Sequence, residues 1–171
     1  MASQTRILLS LLFLSLSPLL ISCDKDPVHL HFYVHMLPNK TEVLVAKSDI
    51  PVPGSFYNFG SVIVLDNLIT EGPENTSYPL GRTQGLMSVM NSLTVAWAAN
   101  IVFTAGQYNG SSLAILGTDD VSQPIRELAI AGGSGYFRMA QGYITIKTYS
   151  VDFNTGGAEI EVDLYAYPAK Y

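Results

Sequence analysis

This chain of 171 residues is poor in the residues on which most chemistry is built. It has one cysteine, one tryptophan, three histidines and only nine basic residues against fourteen acidic ones. A single cysteine rules out an internal disulfide. Because Cys23 ends an N-terminal apolar run, a cysteine nucleophile in a mature chain is excluded as well. The formal charge of −5 and the lack of a Lys/Arg patch argue against nucleic acid as a partner, since phosphate binding needs clustered bases. There is no copper-type His–Cys set, haem-ligand motif or dinucleotide fingerprint, so no cofactor is expected and the chain cannot host an oxidation by itself. His29, His31 and His35 share one face of a strand, but with no cysteine or acidic cluster nearby in sequence they do not make a metal site. Gly132-Gly133-Ser134-Gly135 lacks the Lys-Ser/Thr of a phosphate loop and reads as a turn between strands.

What is present begins with an address. Arg6 followed by the apolar run Ile7–Ile21 reads as an export signal spanning residues 1–23, too short and Ser-interrupted for a comfortable membrane span. That leaves one domain over residues 24–171, secreted and free of the membrane. Three sequons, at Asn39, Asn75 and Asn109, sit beside turn residues and fit glycosylation on a secretory route.

No apolar helical period is sustained in the mature chain. Eight or nine short strand-like runs divided by Gly, Pro, Asn and Asp replace it, the pattern of an antiparallel barrel or sandwich. The last run alternates cleanly, with Ala158, Ile160, Val162, Leu164 and Ala166 on one face and Glu159, Glu161, Asp163, Tyr165 and Tyr167 on the other. Val95–Phe103 is apolar on both faces and is therefore expected to be covered by another subunit, with Trp97 in the contact.

A set of fragments recurs in a fixed order. They are Leu80-Gly81-Arg82-Thr83-Gln84-Gly85, the run Phe103–Ser111, Leu116-Gly117, Ile125-Arg126-Glu127-Leu128, and Gly132–Tyr143. Together they resemble the plant dirigent proteins, which steer reactive phenolic intermediates to one stereoisomer. The resemblance runs from about Phe32 to about Tyr167. It implies an all-β, eight-stranded antiparallel barrel that assembles as a homotrimer in the extracellular space, the apoplast.

The resemblance also implies site residues. Asp119 precedes Arg126 by the spacing at which the family places a pocket Asp and Arg, and both are expected to be catalytic. A carboxyl in an apolar cavity has a raised pKa and can exchange a proton near neutrality, while an arginine holds a phenolate or carbonyl oxygen by directed hydrogen bonds. Asp120 next door fits the first role equally well. Where the family generally has an acid after its Phe-Tyr-x-His motif, this chain has Met36. Where lignan-forming members show tyrosines after Gly85, it has Leu86, Met87, Ser88 and Val89. Met36, Met87 and Val89 are thus expected to bind substrate in a greasier pocket. Asp66-Asn67 replaces the family's frequent pair of acids, so a two-carboxylate mechanism there is in doubt. Arg82 is expected to pair with Asp66 or Glu127.

Three functions follow from different classes. The leading one is a stereodirecting protein for phenylpropanoid and lignan-type coupling: a separate oxidase, a laccase or peroxidase, makes phenoxy radicals or quinone methides, and the barrel holds them in one orientation. The alternative is a dehydratase converting an isoflavan-4-ol to a pterocarpan, with Asp119 as acid and Arg126 as charge stabiliser. The third is a secreted barrel without catalysis.

Overall fold

Alternation dictates the architecture: in nine segments every second side chain points to a shared interior, and all nine pair antiparallel. The computed structural model describes residues 26–169 apart from 54, 56 and 92; the export signal expected over residues 1–23, and Cys23 with it, falls outside the described residues. The strands are β1 (Val28–Met36), β2 (Glu42–Ala46), β3 (Val62–Thr70), β4 (Pro79–Val89), β5 (Thr94–Phe103), β6 (Ser112–Asp120), β7 (Arg126–Ser134), β8 (Gln141–Asp152) and β9 (Gly157–Tyr167). Among the described residues, helix is confined to two single 3-10 turns, Gly106–Tyr108 and Gly135–Phe137.

The order β1-β9-β8-β7-β6-β5-β4-β3 returns on itself, because Tyr33, Val34 and His35 of β1 pair with Thr70, Ile69 and Leu68 of β3. The result is the eight-stranded barrel expected from the sequence. β2 lies on β3 beyond the point where β1 ends, so β1 and β2 together fill one place in the ring. At this seam His35 is buried, and its Nε2 lies 2.7 Å from Thr70 Oγ1, which itself donates to the Gly72 carbonyl. Burial pushes the His35 pKa down, as expected for an imidazole that works as a neutral clamp.

The hairpin loops divide the barrel into two ends. One end is filled by Phe103, Tyr108, Tyr136 and Phe137, whose ring centroids lie 5.0–5.9 Å apart, the spacing of edge and tilted aromatic contacts. Glycines permit this plug. A Cβ on Gly133 would meet the backbone oxygens of Ser112 and Phe137 at 2.6 Å, and Gly135 adopts φ +59; Gly132–Ser134 thus end β7, and the turn expected over the whole Gly-rich run opens only at Gly135. Ser111 is buried there and its Oγ accepts the Tyr136 N–H at 3.0 Å.

The clean alternation of β9 holds, with Val162, Leu164 and Ala166 fully inside. The reading of β5 needs correction. Trp97 (9% exposed), Ala99, Ile101 and Phe103 point into the barrel, and only Ala96, Ala98, Asn100 and Val102 face outward. The indole therefore has its cover within the barrel and does not lie on an outer contact surface.

Candidate functional site

The opposite end of the barrel is open and holds a cavity of about 480 Å3, large enough for one small ligand. Its walls are mostly apolar: Phe32, Val34, Met36, Met87, Trp97, Ile115, Leu128, Ile146 and Ile160 all face it. Leu93, Val121 and Phe153 form its rim, the last 80% exposed. The charged side chains that interrupt this surface stand in two places on different strands.

The first group is Asp119 at the end of β6 and Arg126 at the start of β7, joined by the turn 121–125. Their side chains are each 5% exposed, and Arg126 Nε lies 3.2 Å from Asp119 Oδ1. The contact is an ion pair by distance but is poorly aligned for a hydrogen bond, which leaves Asp119 Oδ1 and Arg126 Nε unmatched. Trp97 Nε1 and Thr83 Oγ1 are buried and unmatched as well. Arg126 is steadied from its other side by Nη1, which donates to Thr148 Oγ1 at 2.9 Å. Burial pushes the Asp119 pKa up, opposed by the Arg126 charge and the nearby Trp97 N–H, and reinforced by Asp120.

A buried polar atom without a partner costs roughly 1–3 kcal/mol. The four residues that carry them all line one apolar cavity, and a small shift of their side chains would let a ligand that brings oxygen atoms satisfy them. A carboxyl of raised pKa beside a fixed guanidinium can protonate a leaving group and stabilise the charge that develops.

Asp120 does not line the cavity and acts on Asp119 only through its charge. It is at the protein surface, where it accepts from Ser122 N at 3.0 Å and Ser122 Oγ at 2.6 Å, and these bonds pull its pKa down. Met36 and Met87 face the cavity; Val89 points inward beside them but is packed in the core (2% exposed). Leu86 and Ser88 are on the outward parity, Leu86 being exposed. Arg82 pairs with Asp66 on the outside. Asn39, Asn75 and Asn109 are all exposed on turns.

The second polar group was not read from the sequence. Glu42 of β2, only 3% exposed, faces the cavity together with Tyr57. Asn67 Nδ2 donates to its Oε1 at 3.0 Å. Burial pushes the Glu42 pKa up against this hydrogen bond. The Tyr57 phenol is pushed up by burial and then by the Glu42 charge. Outside the barrel, the register of β1 and β9 sets His31 beside Asp163, and the ligand atoms of His31, Glu161 and Asp163 lie within 4.8 Å of one another. The acids that sequence proximity did not supply to these histidines thus come from β9. His29 and His31 both bond Asp163, at 2.9 and 3.2 Å.

Comparison with known proteins identifies the family and the fold. A family model described as Dirigent-like protein matches residues 27–167. Pterocarpan synthase 1 of Glycyrrhiza echinata is 36% identical over 160 residues, covering 90% of this chain and 85% of the relative. Dirigent protein 1 of Arabidopsis thaliana is 40% identical over 128 residues, covering 72% and 70%. The solved structure of the pterocarpan synthase dirigent protein GePTS1 superimposes with a TM-score of 0.78 at 36% identity, covering 85% of this chain and 88% of that one.

Proposed function

The chain belongs to the dirigent family, and from that membership and the cavity's chemistry we propose that it binds a phenolic substrate in the barrel mouth and directs the stereochemistry of a reaction passing through a quinone methide. The observation that carries this reading is the buried Asp119 carboxyl, its pKa raised by burial, set 3.2 Å from the Arg126 guanidinium in an apolar cavity. A director of preformed radicals has no use for an acid, whereas the loss of a hydroxyl from an isoflavan-4-ol needs one. Asp119 protonates the departing hydroxyl, and Arg126 holds the oxygen on which charge develops. The apolar walls fix one face of the intermediate toward its nucleophile, and this orientation selects the stereoisomer by lowering the entropy cost of one geometry. The names of the relatives from Glycyrrhiza echinata and Glycine max support the same chemistry.

A second reading has its own support. Met36 and Met87, both on the cavity wall, can pack against aromatic rings but transfer no proton, which suits a stereodirecting role with radicals made by a separate laccase or peroxidase. Incubation with a racemic isoflavan-4-ol, and separately with coniferyl alcohol plus a one-electron oxidant, decides between them. Turnover of the first without oxidant supports the dehydration. An optically active coupling product only in the second supports the radical director. Neither result leaves a secreted barrel without catalysis.

The outer wall suggests assembly. Val43, Val64, Leu86, Ala98, Leu116 and Ala129 are cross-strand partners in one continuous row, all exposed. Contiguous exposed apolar residues mark association surfaces, and we assign this belt to a homotrimer contact. Secretion to the apoplast and glycans on Asn39, Asn75 and Asn109 complete the proposal; a mass shift on deglycosylation of protein secreted from plant cells tests both.

A further inference from the structure

We infer that Glu42 is the second acid–base residue of the cavity, receiving the phenolic hydroxyl of the substrate on the wall opposite Asp119. The position follows from topology. β2 shares one place in the ring with β1, and β6 lies four places away in a ring of eight, so Glu42 and Asp119 approach the cavity from facing walls. Both line it, as does Tyr57 beside Glu42.

Glu42 is also held in place. Leu37 N–H donates to Thr41 Oγ1 at 3.1 Å, Thr41 Oγ1 donates to Asn67 Oδ1 at 2.5 Å, and Asn67 Nδ2 donates to Glu42 Oε1 at 3.0 Å. This relay fixes which way the Asn67 amide points and presents a donor to one carboxylate oxygen. The other oxygen takes no bond from the described residues. Burying a carboxyl is costly unless it is partnered, and here the partnership covers only half of it.

The assignment rests on the dehydration reading, and there it completes the proton accounting. As the C–O bond breaks, its electron pair leaves with the hydroxyl, which takes the Asp119 proton and departs as water. The conjugated phenolic O–H gives its proton to Glu42 in its ionised form, which the Asn67 N–H favours against burial, and its electron pair becomes the C=O of a neutral quinone methide. On ring closure a second phenolic hydroxyl attacks the electrophilic carbon and returns a proton to Asp119. Glu42 hands its proton back to the quinone-methide oxygen. Both residues end as they began, and the sum is the loss of one water.

The test uses ligands that bind without reacting. 7,2′-Dihydroxyisoflavan lacks the hydroxyl that would leave, and its 7-O-methyl ether cannot donate to Glu42. Trp97, the single tryptophan, faces the cavity and reports binding by its fluorescence. The 7-hydroxy ligand should bind the wild type about ten- to a hundredfold more tightly than the ether does, the range for a hydrogen bond to a charged group. Glu42→Gln, which keeps an acceptor for Asn67, should bind both ligands equally weakly. If Glu42→Gln binds the 7-hydroxy ligand like the wild type, Glu42 has no such role and the phenolic reading stands. If the wild type binds neither ligand, the phenolic reading falls and Glu42 falls with it. Should the variant fail to fold, the wild type decides alone: equal affinity for the two ligands overturns the assignment.

Discussion

The two ends of this barrel obey opposite rules. At the closed end Phe137 is fully buried, Tyr108 and Tyr136 pack around it, Ser111 is bonded, and glycines occur where no side chain would fit. At the open end three charged side chains, Glu42, Asp119 and Arg126, are buried in an apolar wall, polar atoms lack partners, and Phe153 projects into solvent. Where every group is satisfied, a segment contributes stability. Where groups are buried unsatisfied, the fold tolerates a cost that only a ligand removes.

If that division is sound, variants at the two ends should fail in different assays. The largest effect is expected at the open end. Asp119→Asn keeps the shape but removes the transferable proton, and should lower the rate of isoflavan-4-ol dehydration by about 10²–10⁴-fold, with an unfolding midpoint close to wild type. An unchanged rate and product ratio would make the ion pair structural. At the closed end Phe137→Ala should cost about 3–5 kcal/mol in urea unfolding, while surviving folded protein keeps the wild-type product ratio.

Arg126→Leu sharpens the contrast because it mixes the two behaviours. It should lose stereoselectivity and also stability, since Asp119 is left without its partner; adding Asp119→Asn should recover part of the stability but none of the activity. On the outer wall, Ala98→Glu combined with Leu86→Glu should give monomer by light scattering where the proposed assembly gives a trimer for the wild type, and leave the cavity alone. Ala99→Glu would not test the same contact, because Ala99 points inward.

The smallest effect is in pH. Burial raises the carboxyl pKa of Asp119 and of Glu42. The folded barrel then holds protons that the unfolded chain has released, so their contribution to stability is greatest below the ordinary carboxylate range and is lost as pH rises through the raised folded values. His35 has the opposite sign. Its pKa is lowered from 6.5, so its contribution is lost as pH falls through the unfolded value. Comparing urea midpoints of wild type and Asp119→Asn from about pH 4 to about pH 8 isolates the first effect: the variant should gain on the wild type as pH rises.

Much of this division was legible in the sequence, and the failures are informative. β9 was readable because its two faces differ strictly in polarity. The pairing of Asp119 with Arg126 came from motif spacing, and the geometry brings them together. Trp97 was misplaced because β5 is apolar at nearly every position, so periodicity gives no direction; register opposite Met87 and Gly117 sets it inside. Glu42 was missed for a sharper reason. In Glu42-Val43-Leu44-Val45-Ala46 the usual rule sends the valines inward, yet Val43 and Val45 are exposed and the glutamate is buried. The rule inverts because the outer wall carries the apolar belt and the inner wall needs a carboxyl. The doubt over a paired-acid site at Asp66-Asn67 resolves the same way. Asp66 faces out to Arg82, and Asn67 faces in and supports Glu42.

A closed barrel has no loose edge, but β2 brings one back. It is the last strand in the sheet order, paired to β3 on one side only, and so offers a short row of backbone donors and acceptors to any passing extended chain. The chain limits this hazard. β2 is five residues long, its register slips between Leu44 and Ala46, and Lys47, Asp49, Pro51 and Pro53 follow it. Short length, a bulge, charge and proline are the means by which natural sheets avoid templating fibrils. Protection of this edge therefore rests on a dozen residues beside the mouth, and lengthening β2 or replacing those prolines would open it to pairing with another chain.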